Sequence, residues 1–433
     1  MPDQLVQFKA SPLARILMLG TVLLALIGAW FVLRWYIGNT LAEYFTPEAA
    51  RLQTAETAVS LAPSDPLTHW RLGDFINKRL PPDQISRAVS EFERAVSLSP
   101  NDYRYWTAWG QALEQAGDYE KAEKALVEAV RLAPAYSFPR WHLGNLLLRR
   151  GRYDEAFQQL RRAAEGNDEL RPQLFALAWQ VYGDDFEALQ AAVGTRPEVK
   201  AAFALYLIQR SRIDEGLRAW NTLSESEKKA QQPAADSVLS HLITLKRFQT
   251  AAEFWNQVAP DEAYRTQPGQ IIDPGFESKV SHSPSFLFGW QVPSASQVQV
   301  GITTDTGHNS SRSLRMFFQV RSNLEPVGVT QLVPVRPNTD YSFECYAKTD
   351  QLMTASTPFV VIEDAGDSAQ LAISEKLPVG TNDWLRIPLA FKTGPKTEAI
   401  RVTISRVPCG EENPVCPIFG TVWYDNFSLK TGK

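Results

Sequence analysis

A spacing of 34 residues is the feature that most restricts how this 433-residue chain can fold. Gly110 and Gly144 are 34 residues apart, and so are Ala122 and Ala156. Around them, helical periodicity begins at a tryptophan and continues into a second, alanine-rich helical segment. A helix pair of this kind leaves an apolar face that only the next pair can cover. The repeat therefore predicts stacked helix pairs, an α-solenoid.

Small and large residues recur at matching positions of three such segments. A glycine lets two helices approach closely, and a large residue on the partner helix fills the adjoining gap. A proline after the second helix ends it and sets the turn to the next repeat. The first segment, with Gly73 and Phe92, departs from the spacing because of an insertion at residues 80–83.

These segments resemble the tetratricopeptide repeat family. The resemblance implies a right-handed superhelix whose concave groove is lined by the first helix of each repeat and binds a peptide or partner protein. The alternative is that Trp70 and Trp141 only fill space between helices while the polar residues are solvated. The predicted groove residues are Trp70, Asp74, Asn77, Lys78, Gln111, Glu114, Trp141, Asn145 and Arg149.

Beyond Asn167 the repeat pattern weakens, but helical periodicity continues to about residue 259. Degenerate terminal repeats often cap a solenoid. We therefore predict a helical domain over 45–259, followed by a linker rich in Pro, Asp, Thr and Gly over 260–270.

The C-terminal part changes to a period of two, which is typical of β-strands. Turn signals such as Pro337-Asn338 and Gly394-Pro395 separate the alternating runs. Many short strands without intervening helices indicate an antiparallel β-sandwich over 271–430. The predicted strands are 312–320, 327–335, 341–347, 385–391 and 400–404.

An ordered set of motifs in this part resembles jelly-roll carbohydrate-binding modules of families four and nine. Alternation places Arg315, Phe317, Glu344, Tyr346 and Arg401 outward, where aromatic and planar polar groups suit a glycan. The alternatives are an ordinary mixed surface or an interface with the helical domain. The motifs are 273–277, 289–290, 311–315, 328–331, 337–346, Trp384 and 423–429.

Related modules frequently hold a structural calcium ion near the chain termini, and the resemblance places Glu277 and Asp425 there. Calcium needs six to eight oxygen ligands, which two carboxylates do not supply. The alternative is that Glu277 caps a strand and Asp425 satisfies a turn.

An apolar run from Ile16 to Leu33 predicts a transmembrane anchor over 16–36, because it nearly covers a hydrocarbon core of about 30 Å. Basic residues precede the run and acidic residues follow it. The positive-inside rule then leaves a cytoplasmic tail, 1–15, and sends the remainder across the inner membrane into a periplasmic or extracellular space. A cleaved signal peptide is the competing interpretation.

Cysteine and charge content narrow the function. Cys409 and Cys416 bracket a turn-rich loop that a disulfide could close in an oxidising compartment, whereas Cys345 fits a buried strand position. A net charge of -4 without a basic block argues against nucleic acid as the main partner. No phosphate loop or nucleophile motif occurs, so we expect no enzymatic activity.

The sequence thus predicts an α + β multidomain chain: a transmembrane helix, an α-solenoid of tetratricopeptide-like helix pairs and a jelly-roll β-sandwich. The pairing of domains implies a non-enzymatic envelope scaffold in bacterial surface glycan assembly or export. It would bind a protein through the solenoid and a polysaccharide through the sandwich. One alternative is a structural assembly factor without glycan binding. Another is a glycan-active enzyme with carboxylates around Glu344 and Glu363.

Overall fold

The computed structural model describes residues 11–44, 52–79, 81–183, 185–277, 288–292, 298–318, 328–407, 409 and 416–432. The chain forms two compact units, residues 1–194 and 195–433. The helices between residues 195 and 259 thus belong to the same unit as the strands. The predicted domain limits of 45–259 and 271–430 stay predictions.

The first unit is helical. Short 3-10 helices at Pro82–Gln84 and Asp168–Leu170 precede α4 and α9. Its α-helices are α1 (Pro12–Glu43), α2 (Leu52–Leu61), α3 (Pro66–Arg79), α4 (Ile85–Leu98), α5 (Tyr103–Gln115), α6 (Tyr119–Leu132), α7 (Ser137–Arg149), α8 (Tyr153–Gly166), α9 (Arg171–Tyr182) and α10 (Phe186–Val193).

Close helix packing explains the glycine of each repeat. A Cβ atom added to Gly110 would lie 2.6 Å from Cγ of Leu126, and one added to Gly144 would lie 2.6 Å from Cγ of Leu160. Such distances are too short for non-bonded carbon atoms, so only glycine lets α5 and α7 approach their partners this closely. Gly73 faces the Phe92 ring in the same way.

Overpacking usually costs about 1–3 kcal/mol, and alanine's better helix propensity offsets about 1 kcal/mol of that cost. Replacing Gly110 with alanine should therefore lower the free energy of unfolding by a net of up to about 2 kcal/mol. Urea denaturation followed by far-UV circular dichroism measures the change. In a Leu126→Ala background the same substitution should be neutral or stabilising. An equal loss in both backgrounds would show that the contact with Leu126 is not the cause.

The end of α1 packs as the first helix of a helix pair. Gly38 and Ala42 are buried, and a Cβ atom at Gly38 would lie 2.8 Å from Cβ of Ala62. Asn39 donates a hydrogen bond to Asp65 at 2.8 Å. Nε of Arg71 donates to the Ala42 carbonyl at 3.0 Å. The long apolar helix and the first repeat are therefore joined by direct packing.

His69 connects α3 with α4 and with the preceding turn. Its Nδ1 lies 2.7 Å from Oε2 of Glu91, and its Nε2 lies 3.0 Å from the Pro63 carbonyl oxygen. Both partners are acceptors, so the ring satisfies both only as an imidazolium. Burial alone would lower the pKa of His69, but the hydrogen bonds to Glu91 and Pro63 raise it above its ordinary value.

This raised pKa predicts a pH-dependent contribution to stability. The contribution is fully present below the unfolded-state pKa of about 6.5 and is lost as the pH rises through the higher folded-state pKa. The stability difference between the wild type and His69→Gln, measured by urea denaturation at a series of pH values, should shrink from pH 6 towards alkaline pH. A constant difference would contradict the assignment.

The second unit combines helices with two antiparallel sheets. A 3-10 helix at Glu262–Tyr264 follows the last α-helix. The α-helices are α11 (Pro197–Gln209), α12 (Ile213–Asn221), α13 (Glu225–Ala230), α14 (Gln232–Thr244) and α15 (Phe248–Val258). The strands are β1 (Val298–Thr303), β2 (Ser313–Phe318), β3 (Val329–Pro334), β4 (Asp340–Met353), β5 (Phe359–Asp364), β6 (Gln370–Ile373), β7 (Gly380–Lys392), β8 (Ala399–Ser405) and β9 (Phe419–Thr431).

The strands form a five-stranded sheet, β1-β2-β9-β4-β7, and a four-stranded sheet, β3-β8-β5-β6. Inward side chains of both sheets form one apolar cluster that includes Phe343, Cys345, Ile362, Val402 and Tyr424. The predicted order, a helical repeat region followed by antiparallel sheets, is confirmed. The region from β4 to β7 also contains β5 and β6, which the alternation did not predict.

The last helices pack against the four-stranded sheet. Phe248 of α15 and Ile243 of α14 cluster with Leu332, Ala365 and Ala399. The predicted linker, 260–270, is bound to α15, because Nε1 of Trp255 donates a hydrogen bond to the Tyr264 carbonyl at 2.7 Å. The helices of this unit and the sandwich therefore share an apolar interface.

Candidate functional site

A concavity of about 690 Å³ lies along the first helices of the repeats in the first unit. Seven of the nine predicted groove residues line it. Tyr119 and His142, which were not predicted, line it as well. The predicted residues that meet there are Asn77, Lys78, Gln111, Glu114, Trp141, Asn145 and Arg149.

The other two predicted groove residues have contacts of their own. The Trp70 ring packs 6.3 Å from the Tyr105 ring, which agrees with the space-filling alternative. Asp74 forms an ion pair with Lys78, with 2.8 Å between Nζ of Lys78 and Oδ1 of Asp74. Trp141, in contrast, lines the concavity.

The polar groups of the concavity are largely tied to one another. Glu114 forms an ion pair with Arg149, so this cation is compensated. Nδ2 of Asn145 donates to the Trp141 carbonyl at 2.8 Å. Oδ1 of Asn77 is buried and has no partner among the described residues. The surface therefore offers amide groups and one indole ring with little net charge.

His142 adds an imidazole that sequence reasoning missed. Nε2 of Gln111 lies 2.6 Å from its Nε2 and 2.8 Å from its Nδ1. Burial, and to a lesser extent the Arg149 charge, lowers the pKa of His142. A neutral ring can accept the Gln111 amide proton. The signal available in the sequence was its position next to Trp141 on the groove-lining helix.

The predicted glycan platform is only partly assembled. Arg315 and Phe317 lie on β2, whereas Glu344 and Tyr346 lie on β4, and β9 separates these two strands. Arg401, predicted as part of the same platform, is not on this sheet. It lies on β8 of the four-stranded sheet, because alternation fixes the face of a strand but not the sheet it joins.

Glu344 is engaged within the five-stranded sheet. Arg386 donates to its Oε2 from Nε at 2.9 Å and from Nη2 at 2.7 Å. These bonds lower the pKa of Glu344. Glu363 lies on β5 of the other sheet, paired in register with Arg401. Glu344 and Glu363 therefore lie on different sheets, and the enzymatic alternative stays a prediction.

Glu277 and Asp425 lie close together. A Cβ atom at Gly275 would be 3.6 Å from Oε1 of Glu277 and 3.6 Å from Oδ1 of Asp425. Asp425 is fully buried, and burial raises its pKa although the backbone N–H groups of His308 and Asn426 donate to it.

The two carboxylates cover only part of the oxygen shell that calcium requires. The described residues contain no group of three or more His, Cys, Asp or Glu side chains suited to a metal. Glu277 and Asp425 alone would not complete a calcium site. Calcium binding stays a prediction.

A disulfide joins Cys409 to Cys416, with Cα atoms 5.1 Å apart. The guanidinium of the buried Arg406 holds one end, since Nη2 donates to the Cys416 carbonyl at 2.6 Å. Burial lowers the pKa of Arg406. Cys345 is a free, buried thiol whose pKa is raised by burial.

Comparisons with known proteins concern the helical region. The tetratricopeptide repeat family model matches residues 83–137 and 107–172. TPR repeat-containing thioredoxin TTL4 of Arabidopsis thaliana is 36% identical over 75 residues, 17% of this chain and 11% of that protein. The peroxisomal targeting signal receptor of Candida glabrata is 29% identical over 86 residues, 20% of this chain and 15% of that protein.

The matches thus cover a small part of these two relatives' length. Among solved structures, YrrB, described as a TPR protein with an unusual peptide-binding site, has a TM-score of 0.26 and 15% identity. That match covers 49% of this chain and 95% of YrrB. The helix pairs between residues 83 and 172 are tetratricopeptide repeats.

Proposed function

We propose that this chain is a non-enzymatic, membrane-anchored scaffold of a bacterial cell envelope. The solenoid groove binds a partner protein, and the jelly-roll sandwich binds a polysaccharide. Surface glycan assembly or export is the setting that the pairing of domains favours. A structural assembly factor without glycan binding is the alternative.

The concavity that collects seven predicted residues carries the protein-binding proposal. An extended peptide has alternating N–H and C=O groups that side-chain amides can satisfy, and here Asn77, Gln111 and Asn145 supply amides. Trp141 adds an apolar surface for a peptide side chain. One partial relative, 29% identical over 86 residues, is named as a peroxisomal targeting signal receptor.

Selection of peptides from a random library on the full chain in lipid nanodiscs tests this proposal. The Asn77→Ala and Trp141→Ala variants should each weaken a selected peptide at least tenfold, because each removes a contact in the groove. Arg131→Ala, whose side chain is 65% exposed and pairs with Glu128 on α6, is the matched surface control. Selected peptides that bind all three variants equally would overturn the groove assignment.

Helix α1 supports the anchor. Among the described residues it is the helix long and apolar enough to cross a membrane, with a mean hydropathy of 2.6 in its most apolar window. The basic residues before it favour a cytoplasmic N-terminus in the inner membrane. Protease added outside spheroplasts should degrade the chain beyond residue 44 and leave the anchor. Full protection, or release of the intact chain by osmotic shock, would contradict this topology.

Glycan binding is a second function that the outward face of the five-stranded sheet favours. Phe317, Trp384 and Trp423 lie on this sheet, and aromatic rings can stack on the apolar faces of sugars. Screening the full chain against a glycan array tests it. An array without signal would favour the purely structural alternative.

A further inference from the structure

The outer face of the five-stranded sheet carries a row of alternating cations and indole rings. In register, Arg315 on β2 pairs with Trp423 on β9, and Trp423 pairs with Lys348 on β4. Trp384 follows on β7, next to Leu385, which pairs with Ala347. Adjacent strands are about 4.8 Å apart, so the two indoles are on the order of 10 Å apart. This spacing resembles that of alternate rings in an extended sugar chain.

The strand neighbours show that the row faces outward. Leu314, Met316, Val422 and Tyr424 are buried in the core between the sheets, and their alternate residues point the other way. Trp423 is half-buried, and its indole N–H has no hydrogen-bond partner among the described residues. Its Nε1 atom is buried, so Trp423 offers a ligand only the exposed part of its ring.

Both neighbours of Trp423 in the row are cations. Arg315 is exposed, packs its guanidinium 5.1 Å from the Phe317 ring and forms no ion pair within the described residues. Nζ of Lys348 lies 3.0 Å from Oδ1 of Asp383, whose side chain is 86% exposed. Asp305 lies near Arg315, and the hydroxyl groups of Thr303 and Thr306 donate to its carboxylate.

Tyr346, in contrast, is not free to stack on a sugar. The His308 ring lies parallel on it, with ring centroids 3.8 Å apart. This cover is fixed, because the His308 backbone N–H donates to Asp425 at 2.7 Å and Asn426 Nδ2 lies 2.8 Å from its Nδ1. The His308 ring also contacts Trp384, but in a T-shaped arrangement with ring centroids 5.6 Å apart. The stacking surface of the sheet is consequently formed by the indoles of Trp423 and Trp384 rather than by the tyrosine predicted from the sequence.

We propose that the row Arg315, Trp423, Lys348 and Trp384 binds an acidic polysaccharide whose sugars carry carboxylates. Pyranose rings stack on the two indoles, and the carboxylates bind the guanidinium and ammonium groups beside Trp423. This inference rests on the proposed glycan binding by the sandwich and adds its ligand class and its contact residues.

The test measures binding of the full chain in nanodiscs to polygalacturonate and to neutral hydroxyethylcellulose by biolayer interferometry. Polygalacturonate should bind more tightly, and added salt should weaken it. Trp423→Ala should reduce its affinity at least tenfold, and Arg315→Gln several-fold. Arg315 is exposed, so its variant keeps the test valid if Trp423→Ala fails to fold. Arg401→Gln, on the opposite sheet, is the matched control and should bind like the wild type.

The remaining outcomes separate this inference from the broader proposal. Binding of the neutral polymer alone would overturn the acidic class and leave glycan binding in place. Binding that Trp423→Ala and Arg315→Gln do not change would overturn this site. Absence of binding to either polymer and to a glycan array would overturn glycan binding itself, and this inference with it.

Discussion

Replacing Phe248 with alanine is expected to lower the free energy of unfolding of the second unit by about 3–5 kcal/mol. Phe248 is 3% exposed and fills the interface between α15 and the four-stranded sheet, against Ala365 and Ala399. These two small neighbours cannot extend into the space that the ring leaves, so a cavity remains. The loss should appear as a lower urea midpoint.

Two spectroscopic signals make this test sharper. Far-UV circular dichroism follows the helices, and near-UV dichroism follows the packed aromatic residues. In the wild type both should report one transition, whereas Phe248→Ala should separate them. Glu398→Gln is the matched control, since its carboxamide oxygen still accepts from the Gln249 backbone N–H, a bond of 3.1 Å in the wild type. An unchanged urea midpoint for Phe248→Ala would mean that the Phe248 ring does not hold the helices on the four-stranded sheet.

Gln331→Leu is expected to cost about 2–4 kcal/mol, because it leaves two buried backbone groups without partners. Gln331 is fully buried on β3. Its Nε2 donates to the Ile272 carbonyl at 2.8 Å, and its Oε1 accepts from the Ile272 N–H at 3.0 Å. The side chain thus holds the segment that enters the sandwich. Equilibrium urea denaturation measures the loss.

Gln331→Glu gives a matched control for this prediction. A carboxylate can still accept from the Ile272 N–H but cannot donate to its carbonyl, and burial disfavours its charge. The variant should therefore be unstable at neutral pH and recover part of its stability at acidic pH, where the protonated carboxyl group donates. A Gln331→Leu variant as stable as the wild type would show that the two bonds are unimportant.

The sequence pattern predicted helices and strands best where a single periodicity, either helical or alternating, continues through the segment. The glycines at 73, 110 and 144 indicated close helix approach, and the structure places Phe92, Leu126 and Leu160 against them. Alternation from Tyr341 to Ala347 gave the faces of β4, although the strand extends over Asp340–Met353. Such signals are local, so a single sequence carries them.

The arrangement of the strands could not be predicted in the same way. Alternation places Arg401 and Arg315 outward but does not say that β8 and β2 belong to different sheets. The continuous apolar run of β5 is buried throughout, so it showed no alternation. The cover of His308 over Tyr346 joins residues far apart in sequence, and no short motif indicates it.

The groove, too, combines local features with features that depend on the fold. The first-helix positions follow from the repeat, which is why Asn145 and Arg149 were predicted and line the concavity. The ion pair between Glu114 and Arg149 crosses from α5 to α7, and its formation depends on side-chain conformations. The sequence therefore indicated where the groove lies better than which charges it exposes.

The continuity of α1 has a mechanical consequence. Its last turns pack on α2 through Gly38 and Ala42, and Asn39 and Arg71 tie the same turns to their neighbours. With the anchor in a bilayer, as proposed, no flexible linker would separate the membrane-spanning part of α1 from the first repeat. Any change in the tilt of α1 would rotate the first repeat through the same angle. Because bilayer thickness influences helix tilt, it would also influence the orientation of the first repeat relative to the membrane.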